Sequence, residues 1–454
     1  MSIHVGDTPY GTETKASHPT FPLVSDPSSS PYHRQNTPSR PSFRRQDCLA
    51  RAGRLYSLHM SGLAPNARSQ LIKASATLAI SATAAQLKAD GLDVVSLGAG
   101  EPDFPTPEPI AQAGIEAIEQ GNYRYTAAAG TPALRQAGSD WLKSAFGLEY
   151  DKSEVMVSPG AKAALHMGLS SIVNPGDAVL LLAPYWVSYP ALVTLAGGTP
   201  IIVEANPDRN FVHDAETIEA AAKKHNTKGI IANFPNNPSG AVPNREDVRA
   251  LVDLCCRNDM WIVSDEIYST LLYDDAQHIS PASIPGGRDR TIIVAGFTKS
   301  HTLTGWRTSF MAAPKDIINT AARLQSQVLG NPCTISQAAM LKACQLPMPE
   351  EHNRRMKAFT ERRNFLVEEL NKIPGVSLAT PRGSFYALID IRPICAARSI
   401  TDLDACSQLL EQHYLALVPG SAFGIPGFVR ASYAADLSTL KKAVERITAW
   451  VNKS

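Results

Sequence analysis

Between residue 99 and about residue 345 the chain alternates short apolar runs with longer amphipathic stretches. The runs are VMVS (155–158), AVLLLA (178–183), PIIVEA (200–205), GIIANF (229–234), WIVSD (261–265), TIIVAG (291–296) and SFMAA (309–313). They are near-continuous rather than alternating, the pattern of strands covered by helices on both faces. The fold class this predicts is α/β, with a mostly parallel sheet of about seven strands. Residues 346–454 change character. A long charged helical stretch, PEEHNRRMKAFTERRNFLVEELNKI, leads into the strand-like runs GVSLATP and SFYALIDI, another helix, the runs ALVPG and FVRASYA, and a terminal helix up to Trp450. This reads as a smaller α+β domain, joined from the N-terminal side by the helix SQLIKASATLAISATAAQLKAD.

The expected organisation is a tail (1–59), an N-terminal segment of the small domain (60–98), a large domain (99–345) and the rest of the small domain (346–454). The tail is rich in Pro, Ser, Thr and Arg and lacks apolar periodicity, so it is expected to be disordered. Its later part, FRRQDCLARAGRLYSL, has the basic amphipathic character of a transit peptide, against which Asp7, Glu13 and Asp26 count.

Composition adds mainly exclusions. With 44% hydrophobic and 19% charged residues and a formal net charge of +1, the chain has no basic field of the kind that nucleic-acid partners require. It also has no apolar run approaching the ~20 residues that span a bilayer, so no membrane partner is expected. The seven cysteines include no CxxC pair and the histidines no HExxH cluster, which argues against a disulfide framework and against a metal. Buried thiols in a reducing, cytoplasmic compartment are expected, with a mitochondrial location as the alternative if the tail directs import.

Candidate chemistry collects where the apolar runs end. VMVS is followed by Pro159, Gly160, Ala161 and Lys162; AVLLLA by Pro184, Tyr185 and Trp186; GIIANF by Pro235, Asn236, Asn237 and Pro238. WIVSD ends in Asp265 with Tyr268 just beyond, and TIIVAG leads through Phe297 to Thr298 and Lys299. In open α/β sheets ligands bind beyond the carboxyl ends of the strands, so five runs deliver polar or aromatic groups to one edge. A lysine there forms Schiff bases with carbonyls once burial or a neighbouring cation lowers its pKa. If the carbonyl belongs to pyridoxal 5'-phosphate, an acid must keep the pyridine nitrogen protonated, and Asp265 suits that need. Asn237 and Tyr268 can donate to the phenolic oxygen, Trp186 can stack on the ring, and a helix start at Gly160 and Ala161, with Arg307, can cradle the phosphate.

Lys299 in GFTKSHTLTGWR, Asp265 and Tyr268 in SDEIY, Asn237 in NFPNNPSG, LGAGEPDFPTP and FVRASY together resemble the class I, fold-type I, pyridoxal-phosphate-dependent aminotransferases, from about residue 60 to the end. GAGEPDF, APYWVSYP and the lysine of GAK are most similar to the branch of bacterial aspartate and aspartate/prephenate aminotransferases. The resemblance implies that Lys299 holds the cofactor as an internal aldimine and shuttles a proton. It also implies that Asp265 pairs with the ring nitrogen, Asn237 and Tyr268 with the phenolic oxygen, and that Trp186 and Ile267 cover the ring faces. Gly160, Ala161, Thr298 and Arg307 would hold the phosphate, and Tyr125 would reach the phosphate of a second subunit, which implies a homodimer with shared active sites. Arg430 would clamp the substrate α-carboxylate, assisted by Asn237 and the backbone at Gly100. One departure is Gly296, where many relatives carry a phosphate-binding serine.

In this branch a lysine and a threonine meet the distal carboxylate of an acidic substrate, and the matching positions are Lys162 and Thr77. The implied activity is amino transfer between an amino acid, aspartate or glutamate, and a 2-oxoacid by a ping-pong mechanism. Alternatives are an aromatic, prephenate or specialised-metabolite aminotransferase, or a lyase or cyclase on the same scaffold. A ligand-sensing regulator would need a DNA-binding module, and the first 59 residues lack a helix-turn-helix pattern.

Overall fold

β1 (Val95–Ser96) follows the helix Ala76–Ala89, and each of the seven apolar runs then becomes a strand: β2 (Val155–Ser158), β3 (Ala178–Leu182), β4 (Thr199–Val203), β5 (Gly229–Asn233), β6 (Trp261–Asp265), β7 (Thr291–Ala295) and β8 (Ser309–Ala312). They form one sheet in the order β2-β8-β7-β6-β5-β3-β4, in which β8 runs antiparallel to both neighbours and the remaining pairs are parallel. Alternate side chains enter different cores. Val179, Leu181, Ile231, Val263 and Val294 pack on one face, and Leu180, Leu182, Ile230, Ala232 and Ile262 on the other. Burial of both faces is why these strands carry no polar alternation.

The structure, a computed structural model, describes residues 64–72, 76–204 and 206–453. From Pro65 onward they form one compact unit, and the expected tail (1–59) lies outside the described residues. Among the described residues no helix is long and apolar enough to cross a membrane.

The C-terminal strands are β9 (Ser377–Leu378), β10 (Tyr386–Asp390), β11 (Leu415–Ala416), β12 (Val418–Pro419) and β13 (Phe428–Ser432). Four of them form an antiparallel sheet, β12-β13-β10-β9, while β1 and β11 pair in parallel through Val95 and Leu415. The single run ALVPG therefore divides at Leu417, because its first half pairs with β1 and its second half with β13.

The helix Pro349–Leu370 departs from the surface element its charge pattern suggests, since Arg355, Arg362 and Arg363 are all buried. Each is matched by acceptors on other segments. Arg355 donates to the Ser300 and Pro105 carbonyls at 3.1 and 2.6 Å, and to Thr302 Oγ1 at 2.9 Å. Arg362 grips both oxygens of Asp103 at 2.8 Å, and Arg363 both oxygens of Asp274 at 2.7 and 3.1 Å. The helix is thereby stitched to the 103–105 segment and to the turn that follows Lys299.

Arg355→Met should lower stability by about 2–4 kcal/mol, because it strands two buried carbonyls and a hydroxyl. Arg354→Met, which removes an exposed pair with Glu351 and a contact with the Phe104 ring, should change it by no more than about 1 kcal/mol. Chemical-denaturation midpoints of the two variants check the difference; equal midpoints would contradict it.

Candidate active site

The carboxyl ends of β2, β3, β5, β6 and β7 open onto a cavity of about 310 Å³, the crevice in which open α/β sheets bind ligands. Its lining includes Gly100, Ala161, Lys162, Trp186, Asn237, Asp265, Ile267, Tyr268, Thr298, Lys299, Arg307 and Arg430. Most of the expected site residues therefore meet in one place.

Lys299 lies in the turn after β7 and donates from Nζ to the Gly100 carbonyl at 2.6 Å. Burial pushes its amine down to about 8; Arg307 and Arg430 act in the same direction, against Glu101 and Asp265. Asp265 ends β6 and is buried. Desolvation lifts its carboxyl to about 6, opposed by the Tyr189 hydroxyl, which donates to Oδ2 at 2.7 Å, and by the Ile267 N–H, 3.4 Å from Oδ1. At neutral pH the carboxyl is therefore mostly ionised and the amine is neutral in an appreciable fraction.

Asn233, the last residue of β5, donates to the Asp265 backbone carbonyl at 2.8 Å and accepts the Asn237 N–H at 3.0 Å. One side chain thus fixes both the strand end and the asparagine turn. Arg430 comes from β13 in the other sheet. Its guanidinium lies between the rings of Tyr386 and Phe423, 4.5 and 4.9 Å from their centroids, and donates to Asn237 Oδ1 at 3.0 Å and to the Gly98 carbonyl at 2.6 Å. Among the described residues Arg430 Nε is buried without a partner. Tyr268 Oη stands 3.0 Å from Tyr386 Oη.

Gly160 caps the helix Ala161–Ile172 with φ 88°, and a Cβ there would stand 2.5 Å from Arg307 Nη2. Only glycine allows the guanidinium to lie against this helix start, whose free N–H groups suit an anion. Gly296 has φ 146°, and a Cβ would lie 3.3 Å from Met340 Cε. A side chain at this position would be strained and would press on Met340.

The cavity's cations are met by neutral groups. Lys299 reaches the Gly100 carbonyl, Arg307 the Thr304 carbonyl at 2.9 Å, and Arg430 an amide oxygen and a carbonyl. Lys162 Nζ lies 5.0 Å from the centre of the Trp186 ring, and burial together with Arg307 holds its amine below the ordinary range. A group carrying a phosphate, a carbonyl within reach of Lys299 and a ring nitrogen within reach of Asp265 fits this donor set and the cradle at Gly160.

Two expected residues stand apart. Tyr125 is 97% exposed and does not line the cavity. Thr77 falls in the helix Ala76–Ala89, but its side chain lies outside the described residues. Conversely, sequence reasoning missed Tyr189, Asn233 and Tyr386, all of which line the cavity. Tyr189 sits three residues after Trp186 inside APYWVSYP, and Tyr386 inside a run that reads simply as a strand.

Residues 92–447 match the family model described as Aminotransferase class I and II. An aspartate aminotransferase of Bacillus sp. (strain YM-2) is 41% identical over 386 residues, covering 85% of this chain and 98% of the relative. A protein of Aquifex aeolicus (strain VF5) described as a probable aspartate/prephenate aminotransferase is 39% identical over 378 residues, covering 83% and 95%. The solved structure of the Thermus thermophilus aspartate aminotransferase with maleate superposes with a TM-score of 0.80 at 38% identity, covering 86% of this chain and 100% of that one.

Tyr189→Phe removes the stronger of the two donors to the Asp265 carboxylate, and loss of a donor to the anion favours the protonated form. The carboxyl band of Asp265, followed by difference infrared spectroscopy, should therefore titrate above the native value of about 6. An unchanged titration would show that the phenol does not stabilise the anion.

Proposed function

This chain belongs to the class I and II aminotransferases, and on that footing we propose that it is a dicarboxylate aminotransferase, exchanging the amino group of aspartate or glutamate with a 2-oxoacid. It is a pyridoxal-phosphate-dependent enzyme of the type I fold. The observation that carries the finer reading is a cavity in which four cations meet neutral partners, one of them, Lys162, at the tryptophan.

When bound, the cofactor supplies a carbonyl for an amine to join and a conjugated ring that accepts an electron pair. Lys299 Nζ anchors it and, once released, takes the substrate α-proton; an amine near 8 can act as nucleophile and as base at physiological pH. Asp265, ionised, holds a proton on the ring nitrogen. Asn237 spends its side-chain oxygen on Arg430, which leaves its Nδ2 to donate, with Tyr268, to the phenolic oxygen. Trp186 and Ile267 bound the ring faces. The helix start at Gly160 and Ala161, with Thr298 and Arg307, holds the phosphate. Arg430, with its unpaired Nε and its aromatic walls, binds the α-carboxylate beside Asn237 and Gly100.

Lys162 stands beside Trp186 and near Arg307 with no carboxylate partner among the described residues, and with Thr77 it selects a second carboxylate on the substrate. The related Thermus thermophilus enzyme was solved with maleate, a four-carbon dicarboxylate, which supports that choice. Prephenate, named for the Aquifex relative, also carries a second carboxylate.

Exposed Ile115, Ile118, Tyr123 and Tyr125 lie on one helix and the loop after it, which supports a homodimer in which Tyr125 completes the other subunit's phosphate site. The same reading carries the division into a large domain (99–345) and a small one (60–98 with 346–454). Unpaired Cys255, Cys256, Cys333, Cys344, Cys395 and Cys406 support a reducing, cytoplasmic setting.

Three outcomes are expected. Lys299→Ala should abolish the absorbance of the covalently held cofactor and transamination together, and capture of pyridoxal phosphate by the native apoprotein should quicken as pH rises through about 8, where Nζ loses its proton; retained turnover in the variant would remove Lys299 from its role. Lys162→Met should raise KM for aspartate and glutamate by roughly 10–100-fold, the worth of one charged hydrogen bond, while leaving alanine unchanged. Equal losses for all three donors would overturn the dicarboxylate reading.

A further inference from the structure

The loop Tyr125–Thr131 is fastened from behind by two buried glutamines on different helices. Gln337, on the helix Thr334–Gln345, accepts the Thr131 N–H at 2.8 Å and donates to Thr126 Oγ1 at 3.0 Å and to the Pro332 carbonyl at 2.9 Å. Gln325, on the helix Lys315–Val328, is fully buried. Its Nε2 donates to the Ala128 carbonyl at 2.6 Å and to the Val157 carbonyl at 2.9 Å, and its Oε1 accepts the Ser158 hydroxyl at 2.7 Å.

Those partners belong to two different places. Ala128 is in the loop that carries Tyr125, three residues on, whereas Val157 and Ser158 end β2 directly before Pro159 and Gly160. The loop and the strand are also joined by the Val157 N–H to the Ala129 carbonyl at 2.9 Å. A single side-chain amide therefore orients both the strand end that sets the phosphate cradle and the loop that projects an exposed tyrosine.

We propose that Gln325 is a positioning residue that couples the phosphate cradle of its own subunit to the Tyr125 that this subunit lends to its partner. The proposal rests on the shared-site reading given above. A primary amide suits the task because it can satisfy two carbonyls and one hydroxyl at once with no net charge. Both segments are then fixed relative to each other, so the two phosphate sites of a dimer share one mechanical reference.

Mixed dimers test it. One subunit carries Lys299→Ala, so that the absorbance of lysine-bound cofactor reports only on the other, live subunit, whose own residues are native. Gln325→Met is placed on the Lys299→Ala subunit, with Ser158→Ala as a milder variant that frees the amide without emptying its position, and pyridoxal phosphate is titrated into the apo dimer. Each variant should weaken cofactor binding at the native live site, Gln325→Met by roughly tenfold, about one hydrogen bond to a charged group. Tyr125→Phe in the same placement gives the reference. If Tyr125→Phe acts across the interface and neither Gln325→Met nor Ser158→Ala does, this proposal falls alone. If Tyr125→Phe in that placement leaves cofactor binding at the native live site unchanged, the shared-site reading falls and takes the proposal with it. Should Gln325→Met fail to fold, the Ser158→Ala dimer decides.

Discussion

Four cations share one cavity with a single lining carboxylate among the described residues, Asp265, and their direct partners are carbonyls, an amide and an indole ring. Neighbouring like charges repel and burial strips solvation from the deeper of them, so both amines are held below their ordinary range and the site favours an incoming anion. For Lys299 the result is an amine near 8; for Lys162 it is an amine below its usual range; Arg430 keeps its charge and offers an unpaired donor. Reactivity and anion affinity follow from the same unfavourable arrangement. The folded chain tolerates it because the seven-stranded sheet beneath buries apolar side chains on both faces.

The sheet also explains the precision of the site. Asp265 is the last residue of β6, and Asn233 ends the neighbouring β5, in register with it. Lys299 follows β7, the next strand across. Position along a parallel ladder is set by backbone hydrogen bonds, so groups at adjacent strand ends inherit fixed separations. Arg430 comes from β13 of the other sheet, at the level of Leu388 on β10 and Val418 on β12. Buried arginines on the helix Pro349–Leu370 tie that sheet's surroundings to residues 103–105 and to Ser300, one residue from the reactive lysine. Whatever holds the second sheet therefore also holds the turn bearing Lys299.

Much of this was legible in the sequence, and the reasons are physical. All seven strands of the large sheet could be read because double burial leaves continuous apolar runs, and the polar residues after them could be read because parallel strands end on one edge. The buried arginines were not legible: a charged helical stretch looks solvated until Asp103, Asp274 and the backbone carbonyls that receive it are known. Tyr386 was missed for the opposite reason, since an aromatic within an apolar run reads as core, and Tyr189 because Trp186 in the same motif drew the aromatic role; each is core by its ring and site by its hydroxyl. Tyr125 could be singled out by resemblance alone, because nothing in its local pattern distinguishes an exposed tyrosine that awaits a partner from one that does not.

The chain's use of glutamine behind the phosphate cradle bears on the same electrostatic constraint. A glutamate at position 325 would put a negative charge just behind the strand end that leads to the Gly160 helix start, and would oppose a phosphate bound at the proposed cradle. A lysine would bury a charge with no carboxylate among the groups that Gln325 now meets. A neutral amide avoids both while meeting three buried polar groups, Ala128, Val157 and Ser158, that would otherwise be left unpaired. Geometry is transmitted through position 325 without altering the potential that sets the lysine, so orientation of the cradle and reactivity of the amine can be held by separate residues.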